Sequence, residues 1–148
     1  MSASSSAGPS VVAHRGASGR APEHTYAAYQ QAIVDGADAL EADVRLTADG
    51  CLVCVHDRRV DRTSNGRGVL STLELAELED LDFGSWMHVD DDELPDRDDG
   101  QRRRVLTLER LVELVLDSDR RVELAIETKH PTRYAGLDAT MGLAFAQT

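Results

Sequence analysis

Five side chains able to carry acid, base or metal chemistry are spread along this chain: His14, Glu41, Asp43, His56 and Glu127. Three carboxylates gathered in one cleft repel one another and resist ionising unless a cation stands among them. Hard oxygen ligands of this kind suit Mg2+ or Ca2+. Imidazoles titrate near neutrality, so with two beside that cation one can accept and the other donate a proton at pH 7. Arg15 and Lys129 add positive charge able to hold an anionic substrate. Together these groups point to cleavage of a phosphate ester, where charge on the phosphoryl oxygens is neutralised and the leaving oxygen protonated. Each residue also has a plainer reading on its own. A histidine after a strand is commonly a hydrogen-bonded structural residue, Glu-x-Asp is commonly a strand's wet face, and Glu127 can pair with Lys129.

Such a site needs elements that bring distant residues to one rim. Ser10–Ala13 reads as a short buried strand running into His14-Arg15-Gly16. Thr25 is a fitting N-cap for a helix carrying Tyr26, Tyr29, Ile33 and Ala37 on one face, with Gly36 near its end. Ala39–Leu46 alternates, with Leu40, Ala42, Val44 and Leu46 opposed to Glu41, Asp43 and Arg45. The turn Thr47–Gly50 is far too short for a parallel return, so the apolar run Cys51–Val55 must fold back as a hairpin. Counting from Leu46 opposite Cys51 puts Val44 opposite Val53 and Glu41 opposite His56. After a polar loop over 61–68, Ser71 and Glu74 fit a capping box for a helix reaching about Leu81. The charge-dense stretch 88–104 reads as a solvated insertion loop. Thr107 caps a further helix with Leu108, Leu111, Val112 and Val115 on one stripe. Arg121–Glu127 alternates again as a strand. This order of elements predicts an α/β fold with mostly parallel strands, whose sites gather at the carboxyl ends of the strands.

Composition narrows the partners. The chain has 148 residues, 41% of them hydrophobic, which is enough for one domain with a core. With 27 Asp+Glu against 16 Lys+Arg, the net charge of −11 argues against a nucleic-acid or anionic-membrane partner. No stretch approaches the ~20 apolar residues of a membrane helix. Residues 1–9 have neither the basic start nor the apolar run of a secretory signal and read as a disordered tail. Cys51 and Cys54 lack further ligands at zinc spacing, so they read as free thiols of a reducing, cytoplasmic setting.

His14-Arg15-Gly16-Ala17, Pro22-Glu23-His24-Thr25, Glu41-Ala42-Asp43, Thr47-Ala48-Asp49-Gly50, Val55-His56-Asp57, Arg62-Thr63-Ser64-Asn65-Gly66 and Glu127-Thr128-Lys129 follow one another in a characteristic order. In this order, over roughly Val11 to Leu137, the sequence resembles the glycerophosphodiester phosphodiesterase family. The resemblance implies a TIM-type (βα)8 barrel and hydrolysis of glycerophosphodiesters to sn-glycerol 3-phosphate and an alcohol. It implies His14 and His56 as the acid/base pair, Glu41, Asp43 and Glu127 as ligands of Mg2+ or Ca2+, and Arg15 and Lys129 as phosphate contacts. It also allows a route through a cyclic phosphate formed by the neighbouring glycerol hydroxyl and then opened by water. The family usually has Pro-Glu-Asn-Thr where this chain has His24, a change expected to touch a helix start rather than the metal.

A (βα)8 barrel takes about 250 residues, so the resemblance implies an incomplete barrel covering about the first four strands, in a domain over 10–137. Residues 138–148 lose the amphipathic pattern of a following helix and read as a tail unrelated to the family. Open sheet edges then predict self-association. Two rival readings are a remnant or half-barrel that needs a partner chain, and a phospholipase or sphingomyelinase D-type enzyme. The second would need an apolar lip that the acidic 90–99 stretch does not supply.

Overall fold

The computed structural model describes residues 8–88 and 99–129. Strand β1 (Val12–His14) pairs in parallel with β2 (Ala39–Leu46), and β2 pairs in parallel on its other side with β4 (Glu123–Thr128). Strand β3 (Leu52–Cys54) folds back antiparallel on the end of β2. The short turn forces this reversal, as expected: Thr47 Oγ1 accepts from the Cys51 N–H at 2.9 Å, and Gly50 takes a positive φ of 84°. The pairing is Val44 with Cys54 and Leu46 with Leu52, one residue away from the register counted from the sequence. Turn hydrogen bonding sets this register, and the composition of the two runs cannot reveal it.

Helix α1 (Tyr26–Val34) starts at Thr25, whose hydroxyl accepts from the Ala28 N–H. Helix α4 (Leu108–Leu116) starts in the same way at Thr107. Both lay apolar faces on the sheet, and Tyr29, Leu40, Val44, Leu108 and Leu111 form the main core. A second cluster of Val53, Val55, Val60, Leu70, Leu78 and Phe83 lies under the loops that follow β3.

Three local expectations are corrected. Strand β1 is an edge rather than a buried strand: Val11 and Val12 are 59% and 50% exposed, because among the described residues β1 has only β2 beside it. The capping box belongs to Glu74 and Glu77, at the start of α2 (Leu75–Glu79), while residues 70–72 form a separate 3-10 turn. Leu70 is buried in the second cluster, which fixes that turn and delays the helix by a few residues. Within the stretch read as a solvated loop, Asp99–Arg103 forms a short helix, α3. There the Phe83 N–H donates to the Arg103 carbonyl, so tertiary contact orders a segment whose composition favours solvent. The plainer reading of Glu41-x-Asp43 as a wet face fails at Asp43, which is 1% exposed. The expectations for residues 1–7, 89–98 and 138–148 lie outside the described residues.

Candidate active site

Sheet register assembles the site. In β2, Glu41 and Asp43 lie two residues apart and so share a face. Parallel pairing sets His14 of β1 beside Glu41, and Glu127 of β4 beside Asp43. One carboxylate oxygen from each of Glu41, Asp43 and Glu127 falls within 4.8 Å of the others. His14 Nε2 is 4.0 Å from Glu41 Oε2, which also accepts the Arg15 N–H at 3.0 Å.

The loop after β1 is held in an unusual backbone. Arg15 and His24 have positive φ values of 60° and 59°, and the His24 N–H donates to the Arg15 carbonyl. Between them Gly16, at φ 81°, passes so close to α1 that a β-carbon there would stand 2.8 Å from the Ala28 carbonyl carbon.

Charges around Asp43 are balanced at short range. Lys129 Nζ lies 3.0 Å from Asp43 Oδ1 and 2.7 Å from Glu127 Oε1, and Arg15 Nε lies 3.5 Å from Asp43 Oδ2. Burial pushes the Asp43 carboxyl up, but hydrogen bonds and charge from His24 and Lys129 outweigh it and hold it well below the usual carboxylate range. Burial likewise pulls the Lys129 ammonium down, and Glu127 and Asp43 more than reverse that. Asp43 Oδ1 is buried and faces the Lys129 ammonium. Three carboxylate oxygens within 4.8 Å of one another form a hard donor set that fits Mg2+ or Ca2+.

His56 follows β3 closely, and the N–H of its neighbour Val55 donates to the Asp43 carbonyl at 3.0 Å. Its ring is oriented by Asp57, with Nδ1 and Oδ1 2.8 Å apart. A carboxylate only accepts, so Nδ1 carries the hydrogen and Nε2 is left for proton transfer. Arg62 holds Asp57 in turn, Nε to Oδ2 at 2.8 Å, and lowers its carboxyl to about 2 with help from His56 and against burial. The same guanidinium reaches Glu23 Oε1 at 2.6 Å, and Glu23 Oε2 accepts from Arg15 at 3.0 Å. Arg15, Glu23, Arg62, Asp57 and His56 thus form one continuous chain of charge-assisted hydrogen bonds.

This geometry has close relatives. Residues 14–147 match the model of the glycerophosphoryl diester phosphodiesterase family. The chain belongs to that family. It is 57% identical over 129 residues to the probable glycerophosphodiester phosphodiesterase 1 of Mycobacterium tuberculosis, covering 87% of this chain and 46% of the relative. It is 39% identical over 130 residues to a glycerophosphodiester phosphodiesterase of Bacillus subtilis, covering 86% of this chain and 42% of that one. Among solved structures, an Oleispira antarctica phosphodiesterase in complex with the product sn-glycerol-3-phosphate matches with a TM-score of 0.73 at 32% identity, over 94% of this chain and 51% of the other. A glycerophosphodiester phosphodiesterase from Agrobacterium tumefaciens matches with a TM-score of 0.69 at 35% identity, over 91% and 54%. The chain therefore spans about half the length of the relatives it matches. Its parallel sheet and flanking helices are part of the TIM-type barrel of the glycerophosphoryl diester phosphodiesterase family.

The structure brings Glu41, Asp43, Glu127, His14, Arg15 and Lys129 to one place. The His56 ring engages Asp57, while the backbone beside it, at Val55, bonds to Asp43 of β2. The expectation for His24 is corrected: its Nε2 lies 3.0 Å from Asp43 Oδ2, so the change does reach the carboxylate cluster. Residues nineteen apart meet there because the loop after β1 folds back over β2, which no local spacing reveals. Glu23, Asp57, Arg62 and Tyr29 also went unrecognised as site residues, although Asp57 directly follows His56 and Glu23 directly precedes His24 in the motifs.

Proposed function

We propose that this chain carries the acid/base and metal-binding half of a glycerophosphodiester phosphodiesterase, hydrolysing its substrate to sn-glycerol 3-phosphate and an alcohol. The observation that carries the reading is the convergence of Glu41, Asp43 and Glu127 within 4.8 Å, beside His14, Arg15 and Lys129, in a member of this family. Glu41, Asp43 and Glu127 hold Mg2+ or Ca2+, which when bound supplies charge neutralisation on a phosphoryl oxygen. Arg15 and Lys129 hold the phosphate. His56, with Nδ1 engaged by Asp57, moves a proton at Nε2, and His14 serves as the opposite member of the pair. A free-thiol state of Cys51 and Cys54 supports a cytoplasmic setting. Among the described residues no helix is long and apolar enough to cross a membrane. Strands β1 and β4 each pair with β2 alone among the described residues, which supports self-association through their open edges.

The test is release of glycerol 3-phosphate from glycerophosphocholine by the purified chain, with Mg2+, with Ca2+ and with chelator. The reading expects turnover that chelator removes, that Glu127→Gln abolishes, and that His56→Ala lowers about 100-fold or more. Turnover indifferent to chelator and to Glu127→Gln would overturn it. Faster cleavage of intact phospholipid or sphingomyelin would favour the phospholipase or sphingomyelinase D-type reading.

A further inference from the structure

Lys129 and Arg15 account for the cations near Asp43, and an imidazole stands as close as the ammonium. His24 Nε2 stands 3.0 Å from Asp43 Oδ2, and the ring's other nitrogen stands 2.7 Å from the Tyr29 hydroxyl. His24 is 5% exposed and Tyr29 fully buried, so neither contact competes with bulk water. Because a carboxylate only accepts, the hydrogen of this contact sits on Nε2. The Tyr29 hydroxyl lies between that ring nitrogen and the Glu41 carbonyl, 3.0 Å from the latter, and its one hydrogen serves either acceptor. One ring therefore ties α1 to β2, ending on the carboxylate that lies between Glu41 and Glu127 in the site.

A residue serving only to fill space would not need this arrangement. His24 sits at φ 59°, a left-handed backbone that disfavours residues bearing a β-carbon. A buried polar ring aimed at a buried carboxylate also adds desolvation on both sides. What the arrangement achieves is direction. With Oδ2 engaged by His24, rotation of the Asp43 carboxylate is restricted, and Oδ1 is left to face the Lys129 ammonium 3.0 Å away.

We propose that His24 is a positioning residue for the cation site: it clamps Asp43 Oδ2 so that Oδ1 is presented to a divalent ion held with Glu41 and Glu127. This rests on the reading that those three carboxylates bind such an ion. Groups that orient a metal ligand in this way change affinity by about 10- to 100-fold when removed.

The experiment is calorimetric titration of Mg2+, and separately of Ca2+, into the wild-type chain and into His24→Leu, His24→Gln and Tyr29→Phe, without substrate. His24→Leu should weaken binding by about 10- to 100-fold. His24→Gln, whose amide nitrogen reaches the place of the ring Nε2, should recover most of that loss. Tyr29→Phe keeps the volume and removes only the hydroxyl that steadies the ring, and it should weaken binding severalfold while remaining folded. Unchanged affinity in His24→Leu, or no recovery in His24→Gln, overturns the proposal and leaves the metal reading intact. Should His24→Leu fail to fold, unchanged affinity in Tyr29→Phe overturns it instead. A wild-type chain that binds neither ion removes the metal reading itself, and the role of His24 with it.

Discussion

Gly16 lies between the two strained residues of the β1 loop, and replacing it by alanine tests whether that loop positions the site by close packing. Two costs add. At φ 81° an alanine pays roughly 1–2 kcal/mol for the left-handed backbone. Its β-carbon would also stand 2.8 Å from the Ala28 carbonyl carbon and 2.9 Å from the Ala28 β-carbon, inside van der Waals contact with a helix that cannot yield locally. Overpacking of this kind costs about 1–3 kcal/mol. Gly50 provides the control: its φ is 84° and a β-carbon there meets nothing within 4 Å, so Gly50→Ala pays the backbone cost alone. At about 2–4 °C per kcal/mol for a chain of this size, Gly16→Ala should melt roughly 2–12 °C below Gly50→Ala. Far-ultraviolet circular dichroism during heating measures this. The displaced loop carries Arg15, whose N–H holds Glu41 Oε2, so Gly16→Ala should also weaken Mg2+ binding while Gly50→Ala does not. Equal melting temperatures for the two variants, with equal Mg2+ affinity, would refute the claim that the loop is seated by contact with α1.

Three further outcomes follow from the charges around the site. Lys129→Met removes the cation between Asp43 and Glu127, so Mg2+ should bind roughly 3- to 10-fold more tightly, equivalent to ~0.7–1.4 kcal/mol, while KM for the phosphodiester rises; calorimetry and steady-state kinetics read the two separately. The Asp57 carboxyl is lowered in the folded state, so its stabilising contribution is complete above its ordinary 3.8 and is lost as pH falls through about 2. Melting temperature should therefore fall over that window in the wild type, and less steeply in Asp57→Asn. Arg62→Leu frees Asp57 and Glu23 together, and kcat should drop by about tenfold or more, with a smaller change in KM, if orienting His56 contributes to proton transfer; equal kcat would separate this hydrogen-bond chain from catalysis.

Much of this was legible in the sequence because it is local. Thr25 and Thr107 announce their helices through a side-chain oxygen three residues from the N–H it accepts from, and the shortness of Thr47–Gly50 dictates an antiparallel return. Alternation placed Glu41 and Asp43 on one face, and the ordered motifs pointed to the family. Register was decided elsewhere: the parallel ladder between β2 and β4 sets Asp43 beside Glu127, eighty-four positions along the chain, and a one-residue slip would have faced Glu127 away. Only the folded structure showed that, of the three clustered carboxylates, Asp43 is buried while Glu127 stays exposed. It alone turned His24 from a helix-start residue into the partner of Asp43, and joined Arg15 to His56 through Glu23, Arg62 and Asp57. Capping and turn formation act over a few residues, so composition and spacing reveal them, whereas burial and cross-strand pairing depend on which distant segments come to lie side by side.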